Sequence, residues 1–300
     1  MKKILKLICY LLQCGILAIT IKLRLDSPEM PVQSAEPVIA PLDASPTPTP
    51  SPTPEPTPTP TPTPETYTLS VIGDCTLWSN ANYAQHPAGY AGVINGDYSY
   101  PFSNTIQYFE NDDFTIANFV CILSVMNLAY DYTQVYFPFI APTEYASIII
   151  DGVVEFVTTA NNHNMGCYEA GETSTYDTLE AYGIPFGKEG QAQLYTTDSG
   201  LVIGIYCSGK DLAPNKTKAL NAIQQLIDDG AEYIICAFHW GQELYYEPNQ
   251  AQIDLAHACI DAGADLIYGS HTHCLQPIEE YGDGLVPYSM GNWTFGGSTM

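Results

Sequence analysis

The sequence predicts an α/β fold in which helices pack against a largely parallel sheet. Five short apolar runs rich in β-branched and aromatic residues have the composition of strands buried on both faces, at 68–72, 114–119, 155–159, 233–238 and 265–268. Residues 217–229 and 250–262 carry apolar side chains at helical spacing and end before Gly230 and Gly263. Residues 142–150 predict a further helix. Alternating strands and helices are typical of a parallel sheet covered by helices.

The first 66 residues are predicted to lie outside the folded domain. Residues 1–24 contain Lys2 and Lys3 followed by a mostly apolar run, which is typical of a signal peptide or a signal anchor. Because no convincing cleavage site follows, we expect a retained anchor that crosses the membrane once. Residues 25–66 are rich in Pro and Thr and offer nothing to bury, so we expect a disordered stalk. The expected location is the cell membrane, with residues 67–300 outside the cell in a Gram-positive type of envelope.

The charge balance restricts the partners that this protein can have. The chain carries 33 acidic and nine basic residues, which gives a formal net charge of −24. Nucleic acid is therefore not an expected partner. The domain as a whole would repel an anionic capsule or cell-wall polymer, so such a substrate requires a local cationic feature such as a bound metal ion.

The unusual polar residues of the predicted domain directly follow the predicted strands. Open α/β sheets bind their ligands beyond the carboxyl ends of the strands. The residues at these positions are Asp74, Asn118, Asn161, Asn162, His163, His239, His271 and His273. Imidazole, carboxylate and amide oxygen form a ligand set that Zn, Mn or Fe accepts. The sequence therefore predicts a divalent metal site at this edge of the sheet.

Each of these residues also has a purely structural interpretation. An Asp that follows a strand commonly caps a turn, and His239 is compatible with a packed core histidine. The Asn-Asn-His run is compatible with a tight turn. His271 and His273 carry more weight, because alternate residues of an extended segment share one face and two imidazoles would then point at one ion.

Cysteines add a further set of candidates. Four of them follow closely on the same segments, which would place several thiols near one site: Cys75, Cys121, Cys167 and Cys274. The alternative is that these cysteines are small buried hydrophobic residues at strand ends, and this interpretation is favoured.

Six segments, in this order along the chain, resemble the motif series of CapA-type poly-γ-glutamate capsule proteins. They are 73–74 (Gly-Asp), 117–119 (Ala-Asn-Phe), 160–163 (Ala-Asn-Asn-His), 238–241 (Phe-His-Trp-Gly), 269–277 (Gly-Ser-His-Thr-His-Cys-Leu-Gln-Pro) and 288–293 (Tyr-Ser-Met-Gly-Asn-Trp). The resemblance is most specific toward the end of the chain. That family is similar to a branch of the calcineurin-like metallophosphoesterases, so the resemblance implies a four-layer α/β/β/α sandwich.

The resemblance also implies roles for individual residues. The implied metal ligands are Asp74, Asn118, Asn162, His239, His271 and His273. Asp74 would bind or bridge the ions, and Asn118 stands at the position of a second bridging acid. Asp74 and His163 are the implied catalytic residues, with His163 as the general acid. The implied cofactor is one or two divalent ions of Mn, Zn or Fe.

The motif series of the family is incomplete in this chain. Thr76 stands where a histidine is usual, Val120 where a glutamate is usual and Gly166 where an aspartate is usual. Fewer anionic ligands weaken metal binding, so the number of ions stays open. The chain ends at Met300, where relatives continue with further strands, so we expect a sandwich that is either truncated or short of edge strands.

Two functions remain open at the level of sequence. In the first, the protein is a metal-dependent hydrolase that cleaves a phosphoester, or a γ-linked amide in poly-γ-glutamate or a similar envelope polymer. In the second, it is a non-catalytic component of a capsule synthesis or export complex and binds polymer through a degenerate site. In both, the resemblance implies an anionic polymer as ligand and capsule synthase subunits as partners.

Overall fold

The computed structural model describes residues 3–11, 17–25, 65–79, 83, 86–125, 139–164 and 167–296. The strands are β1 Lys3–Leu11, β2 Leu17–Leu25, β3 Glu65–Cys75, β4 Phe114–Phe119, β5 Ile122–Leu123, β6 Ile140–Ala141, β7 Phe156–Thr158, β8 Phe186–Gly187, β9 Ala192–Thr196, β10 Val202–Ser208, β11 Tyr233–His239, β12 Leu266–Ser270, β13 Ile278–Tyr281, β14 Gly284–Pro287 and β15 Asn292–Thr294. The helices are α1 Tyr90–Ile94, α2 Ile106–Phe109, α3 Ser147–Asp151, α4 Tyr168–Ala181, α5 Lys216–Asp228 and α6 Gln250–Asp261, with 3-10 segments at Tyr100–Phe102 and Thr143–Ala146.

The strands form two main sheets, each with parallel strands at its centre. The first has the order β1-β2-β3-β4-β7-β8, and β15 also pairs with β3. Strands β3, β4, β7, β8 and β15 run parallel, whereas β1 and β2 are antiparallel. The second has the order β13-β14-β12-β11-β10-β9, with β10, β11, β12 and β14 parallel and the two edge strands antiparallel. The prediction of a largely parallel sheet is thus confirmed for the central strands, in two sheets.

Alternation of side chains along the strands builds four layers. The inward faces of both sheets meet in one core, with Leu69, Val71, Phe114 and Ile116 from the first sheet and Ile203, Ile205, Ile235 and Leu266 from the second. The outer face of the first sheet packs on α1, α2, α3 and α4. The outer face of the second packs on α5 and α6. This arrangement confirms the predicted α/β/β/α sandwich.

Local sequence explains the helices that cover the second sheet. Asn215 caps α5 by accepting a hydrogen bond from the Lys218 N–H, and Asn249 forms a capping box with Gln252 at the start of α6. Both helices stop close to the predicted glycines. The predicted helix at 142–150 is divided into a 3-10 turn followed by the short helix α3.

The N-terminal predictions fall largely on residues that the structure does not describe. Residues 26–64, which contain most of the predicted stalk, lie outside the described residues. Within the predicted anchor, residues 3–11 and 17–25 are strands β1 and β2, and β3 begins at Glu65. Across the described ranges, no helix is long and apolar enough to cross a membrane. The anchor and the stalk stay predictions.

Candidate metal centre

Strand register brings the predicted site residues to one edge of the sandwich. In the first sheet, Asp74 at the end of β3 is the cross-strand neighbour of Asn118 in β4. Asn292 of β15 pairs with Asp74 on its other side. In the second sheet, His239 at the end of β11 pairs with Ser270 at the end of β12. The carboxyl ends of strands from both sheets therefore supply the site, as the sequence predicts.

Asn118 links the two sheets at the centre of the site. Its buried side-chain Nδ2 lies 2.7 Å from Asp74 Oδ1 and 2.9 Å from His239 Nδ1. Because the amide nitrogen only donates, it assigns Nδ1 of His239 as an acceptor and places the ring proton on Nε2. That Nε2 lies 2.9 Å from Asn162 Oδ1, which accepts the hydrogen bond. Burial lowers the pKa of His239 well below its usual value, in agreement with a neutral ring.

Asp74 and His273 form the charged pair of the site. Asp74 is fully buried, and its Oδ2 lies 3.4 Å from His273 Nδ1. Burial alone would raise the pKa of Asp74, but the interaction with His273 and the hydrogen bond from Asn118 outweigh it and lower this pKa. Burial alone would lower the pKa of His273, but Asp74 and the hydrogen bond to Asn292 raise it. The distance from His273 Nδ1 to Asn292 Oδ1 is 2.8 Å.

His271 lies beside both of the other histidines but reaches its position differently from the prediction. Its ring centroid is 4.7 Å from that of His239 and 6.2 Å from that of His273. The prediction that His271 and His273 share one face of an extended segment is wrong. Both residues have positive φ, 94° and 57°, so the chain turns after β12 instead of continuing as a strand. Non-glycine residues held in this region are strained, and such strain concentrates at functional sites.

Three buried polar atoms of the site have no hydrogen-bond partner among the described residues: Asp74 Oδ2, Asn118 Oδ1 and His271 Nδ1. An unpaired buried polar atom costs about 1–3 kcal/mol, so three in one place are typical of a ligand site. Carboxylate oxygen, amide oxygen and imidazole nitrogen are all accepted by Zn, Mn or Fe. The donor chemistry therefore fits a divalent ion.

The candidate ligands include amide side chains as well as titratable ones. Within the part of the chain that the structure describes, no three His, Cys, Asp or Glu side chains converge closely enough to hold a metal ion. The amide oxygens of Asn118 and Asn162 are needed to complete a ligand set. His239 has both ring nitrogens engaged, Nδ1 with Asn118 and Ser270 and Nε2 with Asn162.

The loop after β7 carries the predicted general acid. Asn161 is buried, and its side chain donates to the Phe119 carbonyl at 2.8 Å and accepts from the His163 N–H at 3.2 Å. His163 is half-buried, with its ring centroid 5.4 Å from that of Phe139. The charge of His163 contributes to the lowered pKa of His239, so the two rings belong to one electrostatic environment.

Two residues that the structure places in the site were not predicted as site residues. Ser270 Oγ lies 3.0 Å from His239 Nδ1, and Asn292 Oδ1 contacts His273 as described above. Both lie inside segments of the motif series, and this is the signal that would have identified them. A side chain at Gly269 would collide with the Tyr288 carbonyl and with the Trp240 indole, so this glycine allows the two segments to pack closely.

The cysteines are structural. All seven described cysteines are buried and free, including Cys75, Cys121, Cys167 and Cys274. Burial raises the pKa of Cys75 and Cys121 and brings that of Cys167 to about 11. Buried neutral thiols of this kind are inert, so the interpretation as small hydrophobic residues is favoured.

Comparison with known proteins gives these residues a family context. Residues 68–296, most of the chain, match the family described as bacterial capsule synthesis protein PGA_cap. The chain belongs to this family. Membership in the capsule synthesis family confirms the resemblance carried by the six segments.

Individual relatives match over different lengths. A stretch of 65 residues is 48% identical to the PGA biosynthesis protein CapA of Bacillus subtilis, over 22% of this chain and 17% of that protein. A stretch of 259 residues is 26% identical to the capsule biosynthesis protein CapA of Bacillus anthracis, over 77% of this chain and 60% of that protein. The chain thus spans less than two thirds of either relative. A hypothetical protein from Thermus thermophilus is similar in structure, with a TM-score of 0.44 and 14% identity, over 65% of this chain and 71% of that one.

Proposed function

We propose that this member of the capsule synthesis family is a metal-dependent hydrolase of poly-γ-glutamate or a similar anionic envelope polymer. The observation that carries the proposal is a set of buried atoms where strands of both sheets end: Asn118 Oδ1 and His271 Nδ1 have no hydrogen-bond partner among the described residues, and the His273 ion pair at 3.4 Å is the contact of Asp74 Oδ2. Buried polar groups without partners are rare in native proteins and concentrate at ligand sites. The names of the two Bacillus relatives refer to PGA or capsule biosynthesis, which supports the choice of polymer.

The residues that would hold the ion are Asp74, Asn118, Asn162, His239, His271 and His273. For His239 this requires that Nε2 lose its proton and its hydrogen bond to Asn162 Oδ1. The ion would lower the pKa of a bound water molecule and polarise the bond to be cleaved. Asp74 supplies the anionic charge of the ligand set, and its lowered pKa keeps it ionised at neutral pH. Asn292 orients His273 by accepting from its Nδ1.

His163 has the place of a general acid in this scheme. It is half-buried, follows Asn162 directly and shares the electrostatic environment of His239. A histidine in such a position can donate a proton to the leaving atom, which is an amine for a γ-linked amide and an oxygen for a phosphoester. Both bonds remain candidates, and the acidic domain favours a substrate whose charge is met locally at the site.

The location and the partners form part of the same proposal. The apolar segment at 4–21 and the Pro- and Thr-rich segment that follows support an anchor in the cell membrane and a spacer through the envelope. The catalytic domain would then face the outside of the cell, where a capsule polymer lies. Subunits of a capsule synthase are the proposed protein partners.

A specific observation favours a second candidate, in which the site binds polymer without catalysis. Asn118 stands at the position of the second bridging acid of the metallophosphoesterases, and its amide donates to Asp74 and His239, so the site has one carboxylate fewer. Val120 is fully buried, and the Thr76 hydroxyl donates to the Trp78 carbonyl and accepts from the Gly296 N–H, so neither residue is free to support a second ion.

The deciding measurement is metal content by mass spectrometry on the full chain and on the variant His271→Ala with His273→Ala. A matched control is His86→Ala with His257→Ala, which removes two histidines away from the strand ends. We expect a stoichiometric divalent metal in the wild type and the control, and its loss in the site variant. Absence of metal from all three proteins, even after incubation with excess Mn, Zn and Fe, would contradict the metal site.

Metal-loaded protein separates the hydrolase from the binder. We expect the chain length of poly-γ-glutamate, measured by mass spectrometry, to fall on incubation with the wild type and to stay unchanged with His163→Ala. If poly-γ-glutamate and phosphoesters are both left intact by a protein that holds its metal, the hydrolase proposal is wrong and the binding role stands.

A further inference from the structure

The basic residues of the folded part are few and lie close together in the sequence. Five of the nine basic residues lie at or before Arg24, which leaves Lys188, Lys210, Lys216 and Lys218 for the rest of the chain. The acidic residues, by contrast, are spread along the whole domain. Such a concentration of scarce charges gives one surface an electrostatic character that the rest of the domain lacks.

All four lysines lie at the carboxyl ends of parallel strands, which is the edge that holds the candidate metal centre. Lys188 directly follows β8, and Lys210 lies two residues after the end of β10. Lys216 and Lys218 belong to the first turn of α5, which the same loop connects to β10. The positive charge of the domain is therefore placed at the edge where a substrate would approach.

Lys188 and Lys210 contact two residues that are hydrogen-bonded to each other, Tyr176 and Glu172. Lys188 Nζ lies 4.3 Å from the centre of the Tyr176 ring, and Lys210 Nζ lies 3.0 Å from Glu172 Oε1. Tyr176 OH donates to the same Glu172 Oε1 at 2.6 Å. Asn164, which follows the candidate general acid His163 in sequence, donates to Glu172 at 3.3 Å. The two cations are thus connected to the loop that carries Asn162 and His163.

The loop after β10 brings Lys210 and Lys216 to His239. Gly209 packs directly on the backbone and Cβ of His239, and a side chain at Gly209 would collide with them. Lys210 is the next residue in the chain. Lys216 lines a cavity of about 370 Å³ together with Trp240 and Gly241, which follow His239 in sequence. The loop after β10 therefore packs on His239 through Gly209, and Lys216 borders the cavity beside Trp240.

Some acidic residues on this edge contact groups other than a lysine ammonium. Glu189 uses its carboxylate to accept from Ser208 Oγ and from the N–H groups of Gly209 and Lys210, which fixes the loop. Glu172 is the ion-pair partner of Lys210. Asp211 accepts from the Ala213 N–H, and Asp254 lines the cavity beside Lys216. The Lys188 ammonium lies over two aromatic rings, those of Tyr176 and Phe186.

We propose that Lys188, Lys210 and Lys216, the lysine arc, form the binding track for a polymer that carries a carboxylate on each repeating unit. The track leads the polymer from the β8 side of the edge toward the loop that carries Asn162 and His163. This inference rests on the proposed function, because it assigns residues that bind the polymer proposed for the same site. It explains how a domain in a chain with a net charge of −24 would hold an anionic polymer.

The test is the binding of fluorescein-labelled poly-γ-glutamate to the full chain, measured by fluorescence anisotropy. We expect Lys188→Gln with Lys210→Gln to raise Kd roughly fivefold or more and to reduce the dependence of binding on salt. Lys22→Gln with Arg24→Gln removes the same charge from β2 and is the matched control, which we expect to leave Kd unchanged. Lys188→Arg with Lys210→Arg keeps the charge and is expected to retain binding.

Three results would overturn the lysine arc. They are no polymer binding by the wild type, an unchanged Kd in the Lys-to-Gln variant, and an equal loss in the β2 control, which would show that only total charge matters. Thermal unfolding shows whether the double variant folds, and the exposed Lys216→Gln change, expected to raise Kd about twofold, replaces it if it does not. Metal content measured on the same variants keeps a failure of the arc distinct from a failure of the metal site.

Discussion

The pKa values of carboxylates shift in opposite directions at the two ends of the first sheet. At the carboxyl end, Asp74 is fully buried and its pKa is lowered. At the amino end, burial raises the pKa of Asp112 to about 6 and that of Glu155 to about 7. The same sheet, within the length of a strand, therefore favours an ionised acid at one edge and a protonated acid at the other.

The difference lies in the neighbours and not in burial. His273, whose pKa is raised, supplies compensating positive charge at Asp74. The charged groups that act on Glu155 are Asp112 and Asp198, which are acidic and raise its pKa further. A hydrogen bond from the Thr115 N–H at 2.7 Å only partly offsets this. Burial alone thus does not identify a functional acid in this fold, whereas a buried acid beside imidazoles does.

The largest expected effect comes from removing the charge at the carboxyl edge. Asp74→Asn keeps the size of the side chain but removes the buried anion that acts on His239, His271 and His273, while Glu243 still acts on the last two. We expect metal affinity to fall by more than the ~10- to 100-fold that follows the loss of a hydrogen bond supporting a ligand. Isothermal titration of the wild type and the variant with Mn, Zn and Fe measures this.

The control for that change is Asp177→Asn, on the exposed face of α4. It removes an equal charge from the chain and is expected to leave metal affinity unchanged. Equal affinity in the wild type and Asp74→Asn would show that the contrast between the two ends has no consequence for ligand binding.

The next effect concerns stability at the amino edge. The pKa of Glu155 rises from 4.5 to about 7 on folding, so the folded state holds a proton more tightly than the unfolded state between those values. Stability contributed by the protonated acid is therefore present at low pH and is lost as pH rises toward 7. The wild type should lose stability when the pH is raised from 5 to 8. Glu155→Gln mimics the protonated acid, so we expect its free energy of unfolding to fall by about 1–2 kcal/mol less over the same range, after allowance for partial exposure.

Urea unfolding at the two pH values measures this difference. Glu110→Gln, at an exposed position near the same edge, is the matched control and is expected to follow the wild type. A parallel pH dependence in the wild type and Glu155→Gln would contradict the raised pKa of Glu155.

The smallest expected effect concerns Asn292, which supports the proposed ligand His273. Asn292→Ala removes the acceptor of His273 Nδ1, and we expect metal affinity to fall roughly tenfold without loss of folding. The Asn292 hydrogen bond raises the pKa of His273, so nitrogen NMR of the imidazoles during a pH titration should show a lower His273 pKa in the variant. Asn104→Ala, at an exposed position, is the control, and an unchanged His273 pKa in Asn292→Ala would refute the positioning role.

Much of the fold was predictable because its central elements have strong local patterns. Strands β3, β4, β7, β11 and β12 were predicted to within a few residues, since each is a continuous apolar run. Helix α4 was missed because its buried face consists of Gly171, Thr175, Thr178 and Leu179, which carry little apolar periodicity. Strand β10 contains Gly204, which packs against Leu226 and Ala231 and interrupts the pattern.

The site was predictable to the extent that each residue follows a strand. The residues expected at one edge, and brought together there by the structure, are Asp74, Asn118, Asn162, His239, His271 and His273. The positive φ of His271 and His273 was not predictable, because it departs from the preference of the residue type. Asn292 and Ser270 depend on strand register, and register over such long separations is not contained in local sequence.

The pairing of Asn292 in β15 with Asp74 in β3 also determines when, during synthesis of the chain, the site can form. The ribosome makes β3 early and β15 late, and domains of this size generally fold as units once their sequence has emerged. A growing chain that has already formed β3 therefore lacks the neighbour that holds His273 beside Asp74. Under the proposed function, the site for the ion is complete only after synthesis has passed β15, so we expect the metal to be loaded onto a finished domain and not onto a nascent one.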